Sequence, residues 1–462
     1  MKRNRFDIQN TKDQEAVDKM ENVDTLILGG TVLCLDETMT RIEDGALAIA
    51  GDAIAAVGTE REFRQRFTSR NIVDGKHSLI LPGLVNSHTH AAMTCFRGIA
   101  DDMALMDWLG NYIFPAEARN VDPELVYWGS LLACAEMIKS GTTTFCDMYI
   151  FEEETARAAR EAGMRCLLGE VLFDFPSPNV KTPQEGLAYT RKLLYRWSGD
   201  PLVRIAVEPH ALYTCSRSLL LEAGNLATEY QVPLALHLLE NSSEKKQLQE
   251  KLGQDALSCL RELGLLNERL IAFHCVCLDD EDIETFRDEG CKAVYNPESN
   301  MKLASGFAPV SRMLREGICV GLGTDGCASN NNLDLFQEMD TAAKLEKVRH
   351  LDPTLMPAET VVRMATCQGA RVLGMDGITG CLKAGMKADF ILIDLNRPHL
   401  TPMYNPYSHL VYTVNGSDVK TVFINGKMVM KDRQLLTFNE EECMQQVRRI
   451  AERVRESLKE PV

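Results

Sequence analysis

Short apolar runs of β-strand character alternate with long helical patterns through most of this chain, and this alternation restricts the fold more than any other feature. The runs that we assign to strands are LILPGLV, TTTFCDM, RCLLGEV, VRIAVEP, PLALHL, LIAFHC, KAVYNP and CVGLGTD. Each run is followed by a helical stretch, which predicts parallel strands joined by crossover helices. Eight such units in succession predict an α/β fold, a (β/α)8 TIM-type barrel.

Polar residues follow several of these runs, at the positions where the strands end. Five of the nine histidines lie there: His88, His90, His210, His237 and His274. Asp325 ends the last run, in GLGTDG. The carboxyl ends of the strands of such a barrel meet at one rim, where its chemistry takes place. We therefore expect these six side chains to gather at one face of the barrel.

The pair His88 and His90 has the spacing of a metal-binding motif. Residues two apart on an extended chain point to the same side, and a neutral imidazole nitrogen is a standard zinc ligand. A bare HxH is a short pattern that also occurs as two polar loop residues, and any single histidine can be a hydrogen-bonded core residue. Six metal-capable residues at one rim favour a divalent metal site instead.

Composition narrows the class of protein and its location. The 462 residues carry a net charge of −16, which argues against nucleic-acid backbones and anionic membranes as partners. No apolar run reaches membrane-spanning length, and the first residues, MKRNRFDIQNTKDQ, lack the apolar core of a signal peptide. The fifteen cysteines are scattered singly, as is typical of reduced thiols. We therefore expect a cytoplasmic protein.

The two ends of the chain have a different texture from its middle. Residues 1–22 are polar and unpatterned, which predicts a mobile N-terminal arm. Short apolar runs between turn signals occupy residues 23–80 and return at 380–435, so we predict one small β-sandwich built from both chain ends. The barrel then spans residues 81–379, and a C-terminal helix occupies residues 436–462.

Five sequence motifs resemble those of one enzyme superfamily over residues 24 to 435. The motifs are PGLVNSHTH, HLLE, FHCV, NPESNMKLASG and GTDGCASNNNLDLFQEM. They are similar to motifs of the amidohydrolase superfamily, specifically its 5′-methylthioadenosine/S-adenosylhomocysteine deaminase branch. The resemblance implies one divalent metal ion per chain, zinc above all, bound by four ligands: His88, His90, His237 and Asp325. A second metal is not expected, because the fourth strand ends in Glu-Pro-His and offers no lysine to be carboxylated as a bridging ligand.

The same resemblance implies a hydrolytic deamination of an adenine ring. The metal lowers the pKa of a water towards about 7, and the resulting hydroxide attacks ring carbon C6. Glu240, three residues after His237, is expected to protonate ring nitrogen N1. Asp325 would pass a proton to the leaving ammonia, while His274 would orient the water.

Further residues are expected to bind the nucleoside. Glu117 in FPAE matches a family glutamate that accepts hydrogen bonds from the ribose hydroxyls, although it could also form a surface salt bridge. His210 resembles the family's substrate-contacting histidine, and Trp108 is expected to pack over the sugar. Two more residues, Ser329 and Asn330, should brace the loop after Asp325.

One position departs from the family's pattern. In the most similar branch, an arginine after the third strand helps to hold the amino-acid tail of S-adenosylhomocysteine. Glu170 stands there in this chain, within LLGEVLFDFP. If Glu170 faces the pocket, it should disfavour the homocysteine carboxylate, leaving 5′-methylthioadenosine, 5′-deoxyadenosine and adenosine as open alternatives.

Two other readings of the chain remain open. An s-triazine chlorohydrolase or aminohydrolase, or another deaminase of the superfamily, would share the metal site and differ in its pocket. A non-catalytic barrel retained as an assembly module would be expected to lack metal ligands, and none is missing here. The expected partner is thus a small nucleoside, and self-association of the chain is also expected, because barrels of this kind commonly form homo-oligomers.

Overall fold

The structure, a computed structural model, describes residues 20–103 and 105–459. Strands of the N-terminal part come first: β1 Glu21–Asn22, β2 Thr25–Leu28, β3 Thr31–Leu33, β4 Arg41–Ile42, β5 Gly45–Ala50, β6 Ala53–Thr59, β7 Phe67–Thr68, β8 Asn71–Asp74 and β9 Ser78–Pro82. Of the mobile arm predicted at residues 1–22, residues 1–19 lie outside the described residues. Glu21–Asn22 at the end of this range form β1, which pairs in parallel with β7, so this end is part of a sheet.

The middle of the chain forms parallel strands, as the alternating pattern predicted. They are β10 Leu84–Thr89, β11 Thr142–Tyr149, β12 Arg165–Leu172, β13 Val203–Ile205, β14 Glu208–Pro209, β15 Leu234–Leu238, β16 Leu270–His274, β17 Lys292–Tyr295 and β18 Val320–Leu322. The run VRIAVEP, predicted as one strand, is divided between β13 and β14, which both pair with β12.

These parallel strands follow one another in chain order. The first sheet runs β10-β11-β12-β13, and the second runs β15-β16-β17-β18. Parallel bridges from Val207 to Leu234 and from Ala211 to His237 connect the two sheets on one side. On the other side, the Asp325 N–H donates to the His88 carbonyl at 3.0 Å. The carboxyl ends of the first and last strands therefore lie side by side.

Helices cover the parallel strands and close the chain. They are α1 Glu60–Arg66, α2 Leu105–Trp108, α3 Phe114–Asn120, α4 Pro123–Lys139, α5 Glu152–Ala162, α6 Pro183–Arg196, α7 Arg217–Tyr230, α8 Ser242–Leu252, α9 Ala256–Glu262, α10 Asp280–Glu289, α11 Pro297–Lys302, α12 Val310–Arg315, α13 Leu335–His350, α14 Ala358–Met364, α15 Cys367–Val372, α16 Pro406–Tyr412 and α17 Glu440–Ser457. Short 3₁₀ turns span Ala91–Phe96, Pro398–Leu400 and Gly416–Asp418, and a π-helical turn spans Leu109–Ile113. Among the described helices, none is long and apolar enough to cross a bilayer.

Side chains at the helix starts explain where the crossover helices begin. Asp122, Thr182 and Ser216 each accept a hydrogen bond from a backbone N–H in the first turn of α4, α6 and α7. Such caps satisfy N–H groups that have no partner within the helix. The helices therefore begin at defined residues, and the loops between strand ends and helices keep a fixed length.

Among the remaining sheets, the largest contains strands from both chain ends. The last strands are β19 Phe390–Asp394, β20 Val419–Ile424, β21 Lys427–Lys431 and β22 Gln434–Leu435. A seven-stranded sheet runs β22-β21-β20-β19-β9-β3-β4, and a four-stranded sheet runs β6-β5-β2-β8. Strand β9 pairs antiparallel with β19, with Leu81 opposite Ile391. The two ends of the sequence thus pair with each other across more than 300 residues.

The boundary between the flanking sheet and the parallel strands differs from the one expected at residue 81. LILPGLV was predicted as one strand, but Pro82 ends β9 and Leu84 begins β10. A Cβ atom on Gly83 would lie 2.1 Å from two side-chain atoms of Thr143. Only glycine therefore fits at this crossing point, and the parallel strands begin at Leu84.

Helix α17 corresponds to the predicted C-terminal helix. Its buried side chains are Cys443, Val447, Ile450 and Val454, which the i, i+4, i+7, i+11 spacing places on one face. This face packs towards α4, where Lys139 Nζ lies 2.7 Å from Glu440 Oε1. The helix therefore packs against α4, where the Cys443 thiol lies 3.8 Å from the Trp128 carbonyl.

Candidate active site

The carboxyl ends of the parallel strands bring five imidazole rings together. Ring centroids are 4.8 Å apart for His88 and His90, and 5.0 Å apart for His88 and His237. His237 in turn lies 5.5 Å from His274 and 4.7 Å from His210. The clustering predicted from the strand ends is therefore present in the structure.

Asp325 completes this group. Its Oδ1 atom lies 3.4 Å from His88 Nε2 and 3.2 Å from His90 Nε2. Its Oδ2 atom accepts hydrogen bonds from the hydroxyls of Ser299 at 2.6 Å and Ser329 at 2.7 Å. The carboxylate is thus held by its outer oxygen, and its inner oxygen points at the two imidazoles.

Hydrogen bonds fix the outer nitrogens of three rings. His90 Nδ1 lies 2.5 Å from the Met148 carbonyl, and His237 Nδ1 lies 2.9 Å from the His210 carbonyl. His274 Nδ1 lies 2.9 Å from Asn300 Oδ1. Since these partners accept, each ring has a proton on Nδ1, and Nε2 is the nitrogen that can bind a metal once it carries no proton.

The donor set fits a metal ion. His88 is fully buried, and neither of its ring nitrogens makes a hydrogen bond, which is unusual for a buried polar group. Ligand atoms of His88, His90 and Asp325 lie within 4.8 Å of one another, as do those of His88, His237 and His274. The geometry alone therefore allows His274 as a ligand beside the four that the sequence motifs indicate.

Charges in the cluster also suit a cation. Burial lowers the pKa of His88 to about 3 and that of His237 well below its usual range, so both rings are neutral. Burial acts in the same direction on His90, but the ionised Asp325 outweighs it and raises the pKa of His90 to about 9. Burial opposes ionisation of Asp325 as well, yet His88 and His90 hold its pKa well below the usual range.

Two of these residues have strained backbones. His274 has a φ of 68° and Asp325 a φ of 63°, in the left-handed region that non-glycine residues seldom adopt. Such strain is found where surrounding structure imposes a particular side-chain direction, often at functional sites. At both positions the strained residue is the one that turns its side chain into the cluster.

A cavity opens beside the cluster. Its wall contains both acids and large apolar residues: His90, Met93, Leu105, Trp108, Leu109, Ile113, Phe114, Glu117, Met148, Tyr149, Ile150, Val171, Phe173, His210, Tyr213, His237, Glu240, His274, Leu303, Asp325 and Ser329. Every predicted substrate-binding residue lies in this wall. His88 lies behind it, fully buried.

Glu240 is a buried acid next to the imidazoles. Its Oε2 atom lies 3.9 Å from His274 Nε2, and its Oε1 atom accepts from the Ser305 hydroxyl at 3.5 Å. Burial raises the pKa of Glu240, with Asp325 adding to the effect and His274 opposing it. Its backbone N–H donates to the Glu244 carboxyl group at 2.8 Å, so Glu244 fixes the position of this segment.

Glu117 lies in the same wall and is not part of a surface salt bridge. The Tyr149 hydroxyl donates to Glu117 Oε1 at 2.6 Å. Burial raises the pKa of Glu117 to about 7, although Tyr149 and His90 oppose this. The carboxyl group keeps one oxygen for a ligand in the cavity.

Two further predicted substrate-binding residues, Trp108 and His210, line the cavity. The Trp108 indole N–H donates to the Ala100 carbonyl at 3.1 Å, which fixes the ring in the wall. His210 Nδ1 lies 2.9 Å from the Thr214 hydroxyl, and burial lowers the pKa of His210 to about 3. A neutral His210 can therefore donate or accept a hydrogen bond.

The residues after Asp325 brace the loop, as expected. Ser329 holds the outer oxygen of Asp325. The Asn330 side-chain amide donates to the Thr324 carbonyl at 2.8 Å and to Glu338 Oε1 at 2.6 Å. The loop therefore has a fixed conformation that maintains the direction of Asp325.

Glu170 does not face the cavity. Its carboxylate accepts from the backbone N–H groups of Phe151 at 3.3 Å and Glu152 at 3.0 Å, and from the Asn179 amide at 2.7 Å. Neighbouring residues in a strand point to opposite sides, and Val171 is the one that lines the cavity. The assumption that Glu170 would meet a substrate tail is therefore wrong.

Sequence reasoning missed a buried acid on the neighbouring strand. Asp147 Oδ1 accepts from the Thr89 hydroxyl and the Ala91 N–H, each at 2.5 Å, and these two residues flank His90. Glu152 and Glu208 are also buried near Asp147, and burial, followed by the Asp147 charge, raises the pKa of both well above the usual range. The signal available was a single acidic residue inside the apolar run TTTFCDM.

The fold and this site define the class of protein. The model of the Amidohydrolase family matches residues 79–429, and the chain belongs to this family. It is 55% identical over 94% of its length to the 5-methylthioadenosine/S-adenosylhomocysteine deaminase of Syntrophobacter fumaroxidans, covering 98% of that protein. It is also 43% identical over 93% of its length to the 5′-deoxyadenosine deaminase of Methanosarcina mazei, covering 98% of that protein.

Solved structures show the same fold. An adenosine deaminase from Xanthomonas campestris with bound zinc superposes with a TM-score of 0.93, at 37% identity, over 94% of this chain and 99% of that one. The atrazine chlorohydrolase of Arthrobacter aurescens superposes with a TM-score of 0.85 at 23% identity, over 92% of this chain and 100% of that one, which is a likeness of fold alone. The chain thus has the mixed α/β architecture, of TIM-barrel type, of its family.

Proposed function

We propose that this protein is a metal-dependent hydrolytic deaminase of adenosine derivatives, producing the inosine derivative and ammonia. The substrates would be 5′-methylthioadenosine and/or S-adenosylhomocysteine, with 5′-deoxyadenosine and adenosine as further candidates. The observation that carries the proposal is one cavity that joins the metal-capable cluster, the buried acid Glu240 and the Glu117–Tyr149 pair. The names of the relatives support the same reaction.

His88, His90, His237 and Asp325 would hold one zinc ion. The neutral rings of His88 and His237 and the ionised Asp325 are in the ligand-competent state, and binding would displace the proton from His90. A bound divalent cation supplies a water that is acidic enough to react at neutral pH. His274 is then left to orient the water through Nε2, while Asn300 fixes its other nitrogen.

Glu240 would carry the proton that the adenine ring needs. Attack at C6 makes ring nitrogen N1 basic, and a protonated carboxyl group facing N1 stabilises the developing charge. Burial keeps Glu240 protonated more readily than an exposed glutamate. Asp325 would accept the proton of the attacking water and return it to the leaving ammonia.

Glu117 would bind the ribose. A carboxylate with one oxygen held by the Tyr149 hydroxyl can accept hydrogen bonds from a cis-diol. A triazine has no diol, and a free base has none either, so this buried pair favours a nucleoside over the alternative hydrolases on the same fold. Trp108 and His210 would complete the wall around the sugar.

The architecture supports the predicted domains with shifted limits. We infer that the parallel strands from Leu84 to Leu322 close into a (β/α)8 barrel, because hydrogen bonds join the sheets on both sides. The seven-stranded and four-stranded sheets would form the sandwich.

All fifteen cysteine thiols are free, which supports a reducing compartment such as the cytoplasm. The expected homo-oligomer stays a prediction.

The reaction can be tested on the purified chain. Zinc-loaded protein should release ammonia from 5′-methylthioadenosine, and mass spectrometry should find the inosine derivative in equal amount. Removal of the metal with a chelator should abolish turnover, and added zinc should restore it. No ammonia from any adenosine derivative, with zinc bound and the protein folded, would disprove the function.

Metal content is a separate prediction. We expect one equivalent of tightly held divalent metal per chain, because His88 belongs to both groups of candidate ligands, so the two groups surround one site. Metal analysis of the purified protein checks this. Two equivalents, or activity that persists without metal, would contradict the single-ion site.

Asp147 should position the first histidine pair. Asp147→Ala removes the acceptor for the Thr89 hydroxyl and the Ala91 N–H, so we expect zinc affinity to fall by about 10–100-fold, as is typical when a ligand loses its support. Asp147→Asn keeps an oxygen acceptor and should retain most of the affinity. Competition with a chromophoric chelator measures both, and an Asp147→Ala variant that binds zinc as tightly as the parent would refute the role.

A further inference from the structure

We propose that the 5′ end of the nucleoside pocket is built for neutral, apolar substituents and excludes a carboxylate. The inference rests on the proposed function and narrows its substrate. Methylthio and deoxy substituents would be accepted, whereas the charged tail of S-adenosylhomocysteine would be a poor fit. Three observations support this: the position of the sugar anchor, which is the proposed ribose-binding residue Glu117, the composition of the wall beyond it, and the ion pairs and hydrogen bonds that the nearby cations already form.

The sugar anchor shows which end of the cavity receives the 5′ group. Glu117 and Phe114 are three residues apart on α3 and therefore lie on one face of the helix. The Phe114 ring centroid is 6.4 Å from that of Phe173 and 6.0 Å from that of Phe175. With C6 of the base at the metal cluster and the diol at Glu117, these rings lie at the sugar end.

Beyond Glu117, the wall at this end is made of aromatic side chains. Phe173 stacks on Phe175, with centroids 4.6 Å apart, and the His210 ring lies 5.0 Å from the Phe173 ring. Phe173 and Tyr213 line the cavity, and Phe175 is 40% exposed at its edge. Among the described residues that line the cavity, none is lysine or arginine.

The lysine and arginine side chains of the surrounding segments already bind other protein groups. Lys302 Nζ lies 2.5 Å from Asp101 Oδ1, and Arg97 donates to the Asn331 carbonyl at 2.7 Å. In helices α7 and α8, which follow the fourth and fifth strands, Arg217 lies 2.7 Å from Glu262 and Lys245 lies 2.8 Å from Asp279.

Lys181 is the remaining cation in the loop that follows Phe175. It is exposed, and it does not line the cavity. A carboxylate drawn into this end would lose its hydration and gain no ionic partner, which is costly. A methylthio group would instead bury apolar surface against Phe114 and Phe173.

Length and charge of the tail can be separated with four 5′-thioadenosines. The methyl and n-butyl thioethers are neutral, and the 3-carboxypropyl and 3-aminopropyl thioethers match the butyl compound in length but carry opposite charges. We expect kcat/KM for the butyl compound to be within about threefold of the methyl compound. The carboxypropyl compound should be at least tenfold poorer than the butyl compound, and the aminopropyl compound should also be poorer.

Each other outcome overturns the inference in a distinguishable way. If kcat/KM for the carboxypropyl compound were within threefold of that for the butyl compound, the pocket would not discriminate by charge. If kcat/KM for the butyl compound were as low as that for the carboxypropyl compound, the pocket would discriminate by length instead. A higher kcat/KM for the aminopropyl compound than for the butyl compound would show an acidic subsite. Failure of all four compounds with zinc bound would disprove the deaminase function itself, and the inference with it.

A charge introduced at the rim provides a second test. Phe175→Arg should raise the ratio of kcat/KM for S-adenosylhomocysteine to that for 5′-methylthioadenosine by at least tenfold, because it supplies the missing cation. Phe175→Gln removes the ring without adding charge and should leave the ratio within threefold of the parent. Lys181→Ala tests the exposed lysine, and a tenfold fall of the ratio in that variant would mean that Lys181 already binds the tail, against the inference.

Discussion

His237→Ala should remove the bound metal and all measurable deaminase activity while leaving the fold intact. The ring lies among the other imidazoles, and its Nδ1 hydrogen bond to the His210 carbonyl leaves Nε2 for the metal. Loss of one of four ligands removes the cation that makes water reactive at neutral pH. Metal analysis, ammonia release and the circular dichroism spectrum together measure the three parts of this expectation.

His274→Ala tests whether His274 is a metal ligand, as the group of His88, His237 and His274 would allow. If His274 orients water and does not bind the metal, this variant should keep close to one equivalent of zinc and lose activity. His350→Ala, on the exposed surface of α13, is the matched control and should change neither. The ligand assignment would be wrong if His274→Ala lost its zinc while His237→Ala retained it.

The position of the histidine cluster could be predicted because it depends on a rule of chain direction. Parallel strands place their carboxyl ends at one edge, so residues that end successive strands meet whatever the loops between them do. His88, His237 and His274 needed only correct strand ends to be brought together. Glu117 and Glu240 lie outside the strands, and only the family resemblance indicated that they share a cavity.

The direction of Glu170 could not be predicted, because its strand carries no alternating pattern. In RCLLGEVL every residue is buried, so polarity does not distinguish the two sides. A shift of one residue along a strand reverses the side to which each residue points. In the structure Val171 faces the cavity and Glu170 binds the backbone at the start of α5. Because of this one-residue difference, Glu170 cannot disfavour the homocysteine carboxylate in the way that the sequence suggested.

The strand boundary at Gly83 and the role of Asp147 were missed for a similar reason, because both lie in runs whose residues are apolar or buried throughout. LILPGLV is apolar throughout, so hydrophobicity does not mark the change of sheet at Gly83, where close approach to Thr143 requires glycine. Pro82 and Gly83 interrupt the run, but a Pro-Gly pair does not show that the chain passes from one sheet to another. Asp147 lies in a strand whose residues are all buried, and its role depends on hydrogen bonds to Thr89 and Ala91. These bonds cross between neighbouring strands and depend on the register of β10 against β11.

Glu240→Gln should lower kcat by roughly 10²–10⁴-fold, the usual contribution of a positioned acid or base. The amide keeps the size of the side chain and its place beside His274, but it cannot give a proton to N1. Metal content should be unchanged, since Glu240 is not a proposed ligand, and KM should change less than kcat because the substrate itself is still bound.

The control for this variant comes from the same stretch of chain. Glu250→Gln makes the same chemical change on the exposed surface of α8 and should leave kcat within twofold of the parent. Steady-state kinetics with 5′-methylthioadenosine, at zinc saturation for all variants, gives kcat and KM separately. A Glu240→Gln variant within a few-fold of the parent would remove Glu240 from the proton transfer, and the proton for N1 would then have to come from another group in the wall of the cavity. Among the described residues of that wall, Glu117 is the remaining carboxyl group whose pKa burial raises, to about 7, and Glu117→Gln would be the next variant to measure.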